Sequence, residues 1–518
     1  MRHLKTLLLM FATFAACAVN ASANVTLPDV ISDGMVLQQS HKVPIWGKAE
    51  PGETVTVRFA GQSKTTTAEG DGEWLIKLDP MRANATPASM SISGRNTIEL
   101  KNILIGEVWL VAGQSNMQRL LSETANGDAA VAAADHPLIH LFNVSRQVAF
   151  KHAPPPLARW LACSPQTVKE FSAAGYYFGV ELEKELRVPI GLINASYGGS
   201  QAEAWTPVEY LQASNDLRPT VDRTKVWDEE RPRVRAEYDE AIKKWRAEAD
   251  KAVAAGARPS PSPAVPDALR EYRIAASIYD GMIAPLIPFY IRGAFWYQGE
   301  SNEARAQQYG ILLPAMIKAW RERWAEGDFP FGIVQLPNYR DPKPEPADEA
   351  WSHIREAQRR TAGNTPNTGL IVTIDIGEAH DIHPKNKLDL GKRMARWALV
   401  DVYGQKQTKS GPLIWGVRNK GSRMVVTFSE VGQGLRIREG NELSEFAIAG
   451  DDRTWYWANA KIVGKDSVEV WSESVKKPVA VRYAFNNNPK NPNLTNDTGL
   501  PAAPFRTDNW PGPTDGKR

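Results

Sequence analysis

Hydrophobic positions change their spacing twice along the chain. From Asn24 to Leu104 they fall in short runs, Val43-Pro44-Ile45-Trp46-Gly47, Thr54–Phe59 and Trp74–Leu78, separated by Pro51-Gly52, Ala60-Gly61 and Gly70-Asp71-Gly72. Short runs punctuated by such turn residues predict the strands of a small β-sandwich. From Ile105 strand-like runs alternate with helical spacing. Val108–Ala112, Ile190–Asn194, Ile291–Tyr297, Gly332–Leu336 and Leu370–Ile374 read as strands, and Phe171–Leu186, Tyr309–Trp324 and Leu388–Tyr403 as helices. This alternation predicts an α/β domain, a parallel sheet with helices on its faces. From Gly411 the pattern is β again, with strands at Arg423–Phe428, Ser467–Trp471 and Val479–Tyr483. The segment after Phe485, rich in Asn, Pro, Thr and Asp, predicts extended, irregular chain.

One stretch, at about 208–275, breaks the α/β alternation. Trp227–Gly256 is a charged, Ala-rich helix, and the A-R-P-S-P-S-P-A-V-P run after it is a stiff connector, which together suit a solvated helical insertion. The predicted organisation is therefore a signal peptide over 1–23, a β domain over 24–105, an α/β domain over 106–403 carrying the insertion, and a β-rich region over 404–518. The leader reading rests on Arg2, His3 and Lys5, the apolar Leu7–Val19 and the small-residue site Ala21-Ser22-Ala23. It predicts export to the periplasm or beyond. A lipid anchor at Cys17 is disfavoured because Phe14 spoils the lipoprotein box, and removal of the leader leaves Cys163 as the sole cysteine, with no disulfide. No later apolar run reaches the roughly 18 residues of a membrane span.

Composition narrows the partners. The net charge of +3, from 62 Lys+Arg against 59 Asp+Glu, gives no basis for nucleic-acid binding. Seventeen tryptophans serve packing and also suit stacking on sugars. The eight histidines are scattered and H-E-x-x-H is absent, so neither a metal nor another cofactor is expected.

The chemistry gathers at predicted strand ends, where an open α/β sheet holds its ligand crevice. In E-V-W-L-V-A-G-Q-S-N-M, Gly113 permits a sharp turn and Ser115 stands just beyond the strand. Gly198-Gly199 and the turn Gln298–Asn302 follow two other strands, and Asp381 and His383 share a loop after a third. A nucleophilic serine needs a base for its proton, and the histidine needs a carboxylate to hold its tautomer.

The blocks G-Q-S-N-M, S-Y-G-G-S, W-Y-Q-G-E-S-N and D-I-H-P-K-N-K resemble those of the SGNH/GDSL hydrolase superfamily and, more narrowly, the sialate O-acetylesterase family. Further similar stretches are I-S-D-G-M-V-L-Q-Q at 31–39, S-I-Y-D-G-M-I-A-P-L at 277–286, V-A-V-R-Y-A-F at 479–485 and G-L-P-A-A-P-F-R-T-D at 499–508. The resemblance implies an SGNH-type parallel sheet and an esterase that removes acetyl groups from sugar hydroxyls. It implies Ser115 as nucleophile and His383 as general base. The implied oxyanion donors are the Ser115 N–H, the N–H of Gly198 or Gly199, and the Gln298 side chain. The superfamily usually has D-x-x-H, but position 380 here is His380; Asp381, one residue late, is the expected acid and Glu300 the alternative. Trp205 is a candidate for the sugar site and equally for the core. Arg292, Arg305 and Lys385 are candidates to meet a substrate carboxylate. Rival readings are an acetylxylan or xyloglucan esterase, and a non-catalytic sugar-binding protein.

Overall fold

The computed structural model describes residues 24–148 and 158–518. The leader at 1–23, with Cys17, lies outside the described residues. The fold is organised around one 17-residue strand, Thr97–Gly113. Its first half pairs antiparallel with Asn84–Ser93 and parallel with Val36–Gln38, within the N-terminal β region. Its second half lies between Ile190–Ser196 and Gly293–Tyr297, parallel to both. The strand thus runs unbroken through the predicted boundary at 105/106: its half-buried first part gives way, after Asn102 at a left-handed φ of +58°, to a fully buried run that includes Gly106.

Six parallel strands stand in the order Thr368–Ile371, Phe331–Val334, Gly293–Tyr297, Thr97–Gly113, Ile190–Ser196, His136–Asn143, with Trp160–Cys163 antiparallel at the edge. The two parallel strands that come next in the chain lie on one side of Thr97–Gly113 and the last three on the other. The winding therefore reverses at this strand, which makes its carboxyl end the crevice of an open α/β sheet. Val108–Ala112 is wholly buried. Adjacent residues of the neighbouring strand serve opposite faces, as the period of two requires. Phe295 packs 5.5 Å from Trp397, centroid to centroid, on the side of helices Ala173–Leu186 and Lys387–Asp401. Trp296 packs 5.8 Å from Trp320 on the side of helices Ala306–Trp324 and Ala350–Asn364.

Helix Ala350–Asn364 escapes a hydrophobic reading because it buries Ser352, His353, Arg355, Glu356 and Gln358 beside Trp351 and Ile354. The insertion is the 37-residue helix Arg218–Ala254, anchored by buried Thr220 and Val221 at its start. The chain then returns through Tyr272, whose ring stacks on Tyr197 at 5.0 Å. The C-terminal region forms antiparallel sheets, one of them Leu413–Lys420, Arg423–Ser429, Ser467–Trp471 and Asn459–Val463. The segment after Phe485 is not a loose tail. Asn486, Asn487 and Asn488 are buried, the carbonyl of Asn487 accepts from the Arg355 guanidinium at 3.2 Å, and Leu494–Asn496 and Phe505–Arg506 are strands.

Beneath the crevice, Glu107 fastens the β region to the sheet and to the last helix of the α/β part. Its carboxylate accepts from Arg292 Nε at 2.7 Å, Gln39 Nε2 at 2.7 Å, Tyr403 Oη at 2.9 Å and Gln38 Nε2 at 3.1 Å.

Candidate active site

At the carboxyl end of the central strand Gly113 takes φ +143°, and a β-carbon there would lie 2.2 Å from the Tyr297 carbonyl oxygen. Only glycine lets the two parallel strands stay this close where the chain turns. The turn sets Ser115 at the start of the one-turn helix Ser115–Gln118. His383 sits in the loop between strand Thr368–Ile371 and helix Lys387–Asp401, and its Nε2 lies 2.9 Å from Ser115 Oγ. Partial burial, and next the cation of Arg119, hold the imidazole below its ordinary pKa. It is therefore neutral at neutral pH and able to accept the serine proton.

Neither expected acid holds His383 Nδ1. Asp381 Oδ1 accepts from the backbone N–H of His383 at 2.8 Å but stands 3.7 Å from Nδ1, beyond a hydrogen bond. The one-residue shortening of the D-x-x-H spacing folds the carboxylate back on its own loop. Glu300, the alternative, turns elsewhere: its Oε1 accepts from Asn116 Nδ2 at 2.7 Å, and its enclosed Oε2 has no partner. Desolvation raises this carboxyl above the usual range. Asn116 also donates to the Ile382 carbonyl at 2.9 Å and accepts from Lys387 Nζ at 2.7 Å. Lys387 is buried, and loss of water pulls its ammonium down to about 7.

The oxyanion side also departs from expectation. Gly198 does adjoin the serine, since a β-carbon there would be 3.5 Å from Ser115 Cβ. Its N–H, however, donates to Gln118 Oε1 at 2.8 Å. Gly199 adopts a left-handed φ of +75°, beside the Tyr272 ring. Gln298 is wholly buried, and its Nε2 donates to Asn302 Oδ1 at 2.7 Å and the Ser200 carbonyl at 3.3 Å, so its amide is engaged away from Ser115. Trp205 is core: it is wholly buried, donates to Ser200 Oγ at 2.9 Å and packs edge-on to Trp296. Arg292 is tied to Glu107 and Arg305 to buried Glu203, which leaves exposed Lys385 as the one of the three without an ion-paired carboxylate among the described residues.

Gln118, whose Oε1 accepts from the Gly198 N–H, also lines a polar cavity of about 370 Å³ with Asn143, Arg146, Arg159, Asn194 and Ser196 among its other walls; Ser115 and His383 do not line it. Ser196 Oγ and Asn194 Oδ1 are buried without partners. Asn116, Gln118, Arg146, Arg159 and Lys387 are residues that sequence reading passed over. Asn116 and Lys387 lie inside the quoted blocks, and that was the available signal; the other three carry none. Among the described residues no group of three or more His, Cys, Asp or Glu side chains is placed to hold a metal ion.

A serine bonded to a histidine at the switch point of a parallel α/β sheet is the arrangement of a carboxylic ester hydrolase, and that is the class of this chain. Residues 105–256 and 267–400 match the model of the family described as carbohydrate esterase, sialic acid-specific acetylesterase. Sialate O-acetylesterase from Homo sapiens is 28% identical over 93% of this chain and 93% of its own length, and the Mus musculus enzyme is 29% identical over 74% of each. A carbohydrate acetylesterase from Xanthomonas citri has a solved structure that superposes with a TM-score of 0.78 at 33% identity, covering 94% of this chain and all of that one. The chain belongs to the sialic acid-specific acetylesterase family of carbohydrate esterases.

Proposed function

We propose that the protein is a sialate O-acetylesterase that works through an acetyl-enzyme on Ser115. The observation that carries this reading is the 2.9 Å contact between Ser115 Oγ and His383 Nε2 at the crevice. Ser115 Oγ attacks the acetyl carbonyl as its proton passes to Nε2. The tetrahedral intermediate collapses, the sugar oxygen takes that proton and leaves, and the acetyl group stays on Oγ. Water, giving a proton to Nε2, attacks the ester carbonyl; as this second tetrahedral intermediate collapses the Oγ–carbon bond breaks, Ser115 Oγ takes the proton back from Nε2, and acetate departs. The developing oxyanion meets the Ser115 N–H, which has no intrahelical acceptor at the helix start. The Gly198 N–H joins it when the substrate oxygen displaces Gln118 Oε1; one such donor contributes roughly 10²–10³ in rate.

The sialate assignment, over a neutral polysaccharide, is supported by the polar cavity that Gln118, the acceptor of the Gly198 N–H, lines. Arg146 and Arg159 are both exposed there and neither has an ion-pair partner among the described residues, so they suit a sugar that carries a carboxylate; Glu170 on the same wall is the opposing charge. The leader-like residues 1–23 support export, and among the described residues no helix is long and apolar enough to cross a membrane. Acetate release should be measured on O-acetylated sialic acids and on acetylated xylan. Preference for the sialic acids is expected; hydrolysis of the xylan alone would overturn the substrate assignment, and hydrolysis of neither, the esterase reading.

A further inference from the structure

Asp381 and Glu300 both fail to reach His383 Nδ1, yet His383 stands in register with Ser115. What joins the two loops is a buried amide. Asn116, next to the nucleophile, donates through Nδ2 both to the carbonyl of Ile382, the neighbour of His383, and to Glu300 Oε1. On its other side Asn116 Oδ1 accepts from Lys387 Nζ, at the start of the helix that follows the His383 loop. An amide can bind in two orientations related by a flip, and only the identity of its partners selects one. Here the Ile382 carbonyl, which has only lone pairs, makes the selection, and the charged forms of Lys387 and Glu300 agree with it: an ammonium has only protons to give and a carboxylate only lone pairs. A flipped Asn116 would set oxygen against oxygen on one side and N–H against N–H on the other, all 1% exposed or less at Asn116 and Lys387.

We propose that Asn116, locked by Lys387 and Glu300, is the positioning residue that holds the His383 loop against Ser115, through the Ile382 carbonyl rather than through His383 Nδ1. Lys387 and Glu300 do not pair directly; each reaches the other through Asn116, so the three side chains fasten the serine turn, the 298–302 turn and the histidine loop to one another. Lys387 lies 5.1 Å from the centroid of the Tyr297 ring, which gives the ammonium a second polar contact in its enclosure. A displacement of His383 by about 1 Å would suffice to cost on the order of 10²-fold in turnover.

The charge of Lys387 gives this role a readout that packing alone lacks. His383 is faced by Arg119 and Glu123 from the segment after the serine, by Asp381 from its own loop, and by Lys387. Arg119 and Lys387 disfavour the imidazolium, whereas Asp381 and Glu123 favour it. Removal of the Lys387 cation therefore raises the pH at which His383 gains its proton and moves the acid limb of the rate profile upward.

This inference rests on the esterase reading, and the test separates the two. Hydrolysis of p-nitrophenyl acetate is measured across the pH range for the wild type, Ser115→Ala, Asn116→Asp and the double variant Glu300→Gln/Lys387→Met, with melting temperatures. The double substitution removes both buried charges together, so neither is stranded. Asn116→Asp keeps the acceptor for Lys387 but turns an oxygen toward Glu300 and the Ile382 carbonyl. Both variants should lose kcat by about tenfold or more with KM changed less than about twofold, and the double variant should also shift its acid limb to higher pH. A folded variant of either kind with wild-type kcat, or a folded double variant with an unmoved limb, would overturn the proposal. Wild-type activity that survives in Ser115→Ala would instead sink the reading of Ser115 as the nucleophile.

Discussion

Glu107 and Glu300 lie at the two ends of the same short run of sheet, and the protein treats them in opposite ways. Glu107, 1% exposed, has a guanidinium, a phenol and two amides on its carboxylate. Glu300 has one neutral side-chain amide on one oxygen, the backbone N–H groups of Gly299 and Glu300 near it and no hydrogen-bond partner on its Oε2, and no cation forms an ion pair with it among the described residues. Buried Glu203, bonded to Arg223, Arg305 and Asn302, follows the first pattern. A carboxylate that has exchanged its water for a full set of donors is a fastening of the fold. One left short of donors holds its proton more tightly, and sites of chemistry are where such groups gather. The lesson has a limit in Glu326, whose two buried oxygens lack partners and whose carboxyl is pushed up to about 9, far from the serine along the chain and outside its blocks.

The comparison breaks first at the serine. Ser115→Ala should leave the melting curve unchanged and cut turnover by several orders of magnitude, more than about 4 kcal/mol of transition-state stabilisation, measured as acetate release. Glu107→Gln should do the reverse. It leaves Arg292 facing a neutral amide in a mostly enclosed site and should cost about 2–3 kcal/mol in denaturant unfolding, with kcat per folded molecule held. Asp381→Asn should cost about tenfold or less in kcat, roughly 1.4 kcal/mol, rather than the 10⁴ typical of a triad aspartate. The amide oxygen can still accept from the His383 N–H, the one bond that Asp381 makes to this residue. The smallest effect is expected at Glu326. Its folded pKa lies above its unfolded value, so the folded state keeps a proton that the unfolded state loses, and stability falls as pH rises from about 4.5 to about 9. Glu326→Gln should remove that slope and raise Tm by about 2 °C at pH 8, with activity unchanged.

Much of this was legible in the sequence because it depends on local pattern. The strand run Val108–Ala112, the glycine after it and the serine beyond it specify a turn whatever the rest of the chain does. Strands Thr54–Phe59 and Ser467–Trp471 have the bounds that their patterns predict. Helix Ala350–Asn364 was not legible, because its inward face is largely polar and is satisfied by partners remote in sequence. Gln358 of that helix donates to the carbonyls of Gln298 and Val334. The same reason hid the roles inside the site. Sequence placed Gln298 and Asp381 near Ser115 and His383, but the direction of each side chain is decided by Asn302, Ser200 and the backbone of His383. Trp205 could be a sugar platform or core until Trp296 and Trp320 were seen to enclose it. Asn116 and Lys387 were visible as letters of two blocks; the bond between them joins segments that no spacing rule connects.

The central claim is that the acetyl group passes through Ser115, and the most direct measurement is mass spectrometry of enzyme quenched in acid during turnover of an O-acetylated sugar. The account predicts an acetyl adduct on the peptide that carries Ser115, absent from Ser115→Ala. Steady acetate release with that peptide unmodified, or an adduct on another residue, would contradict it.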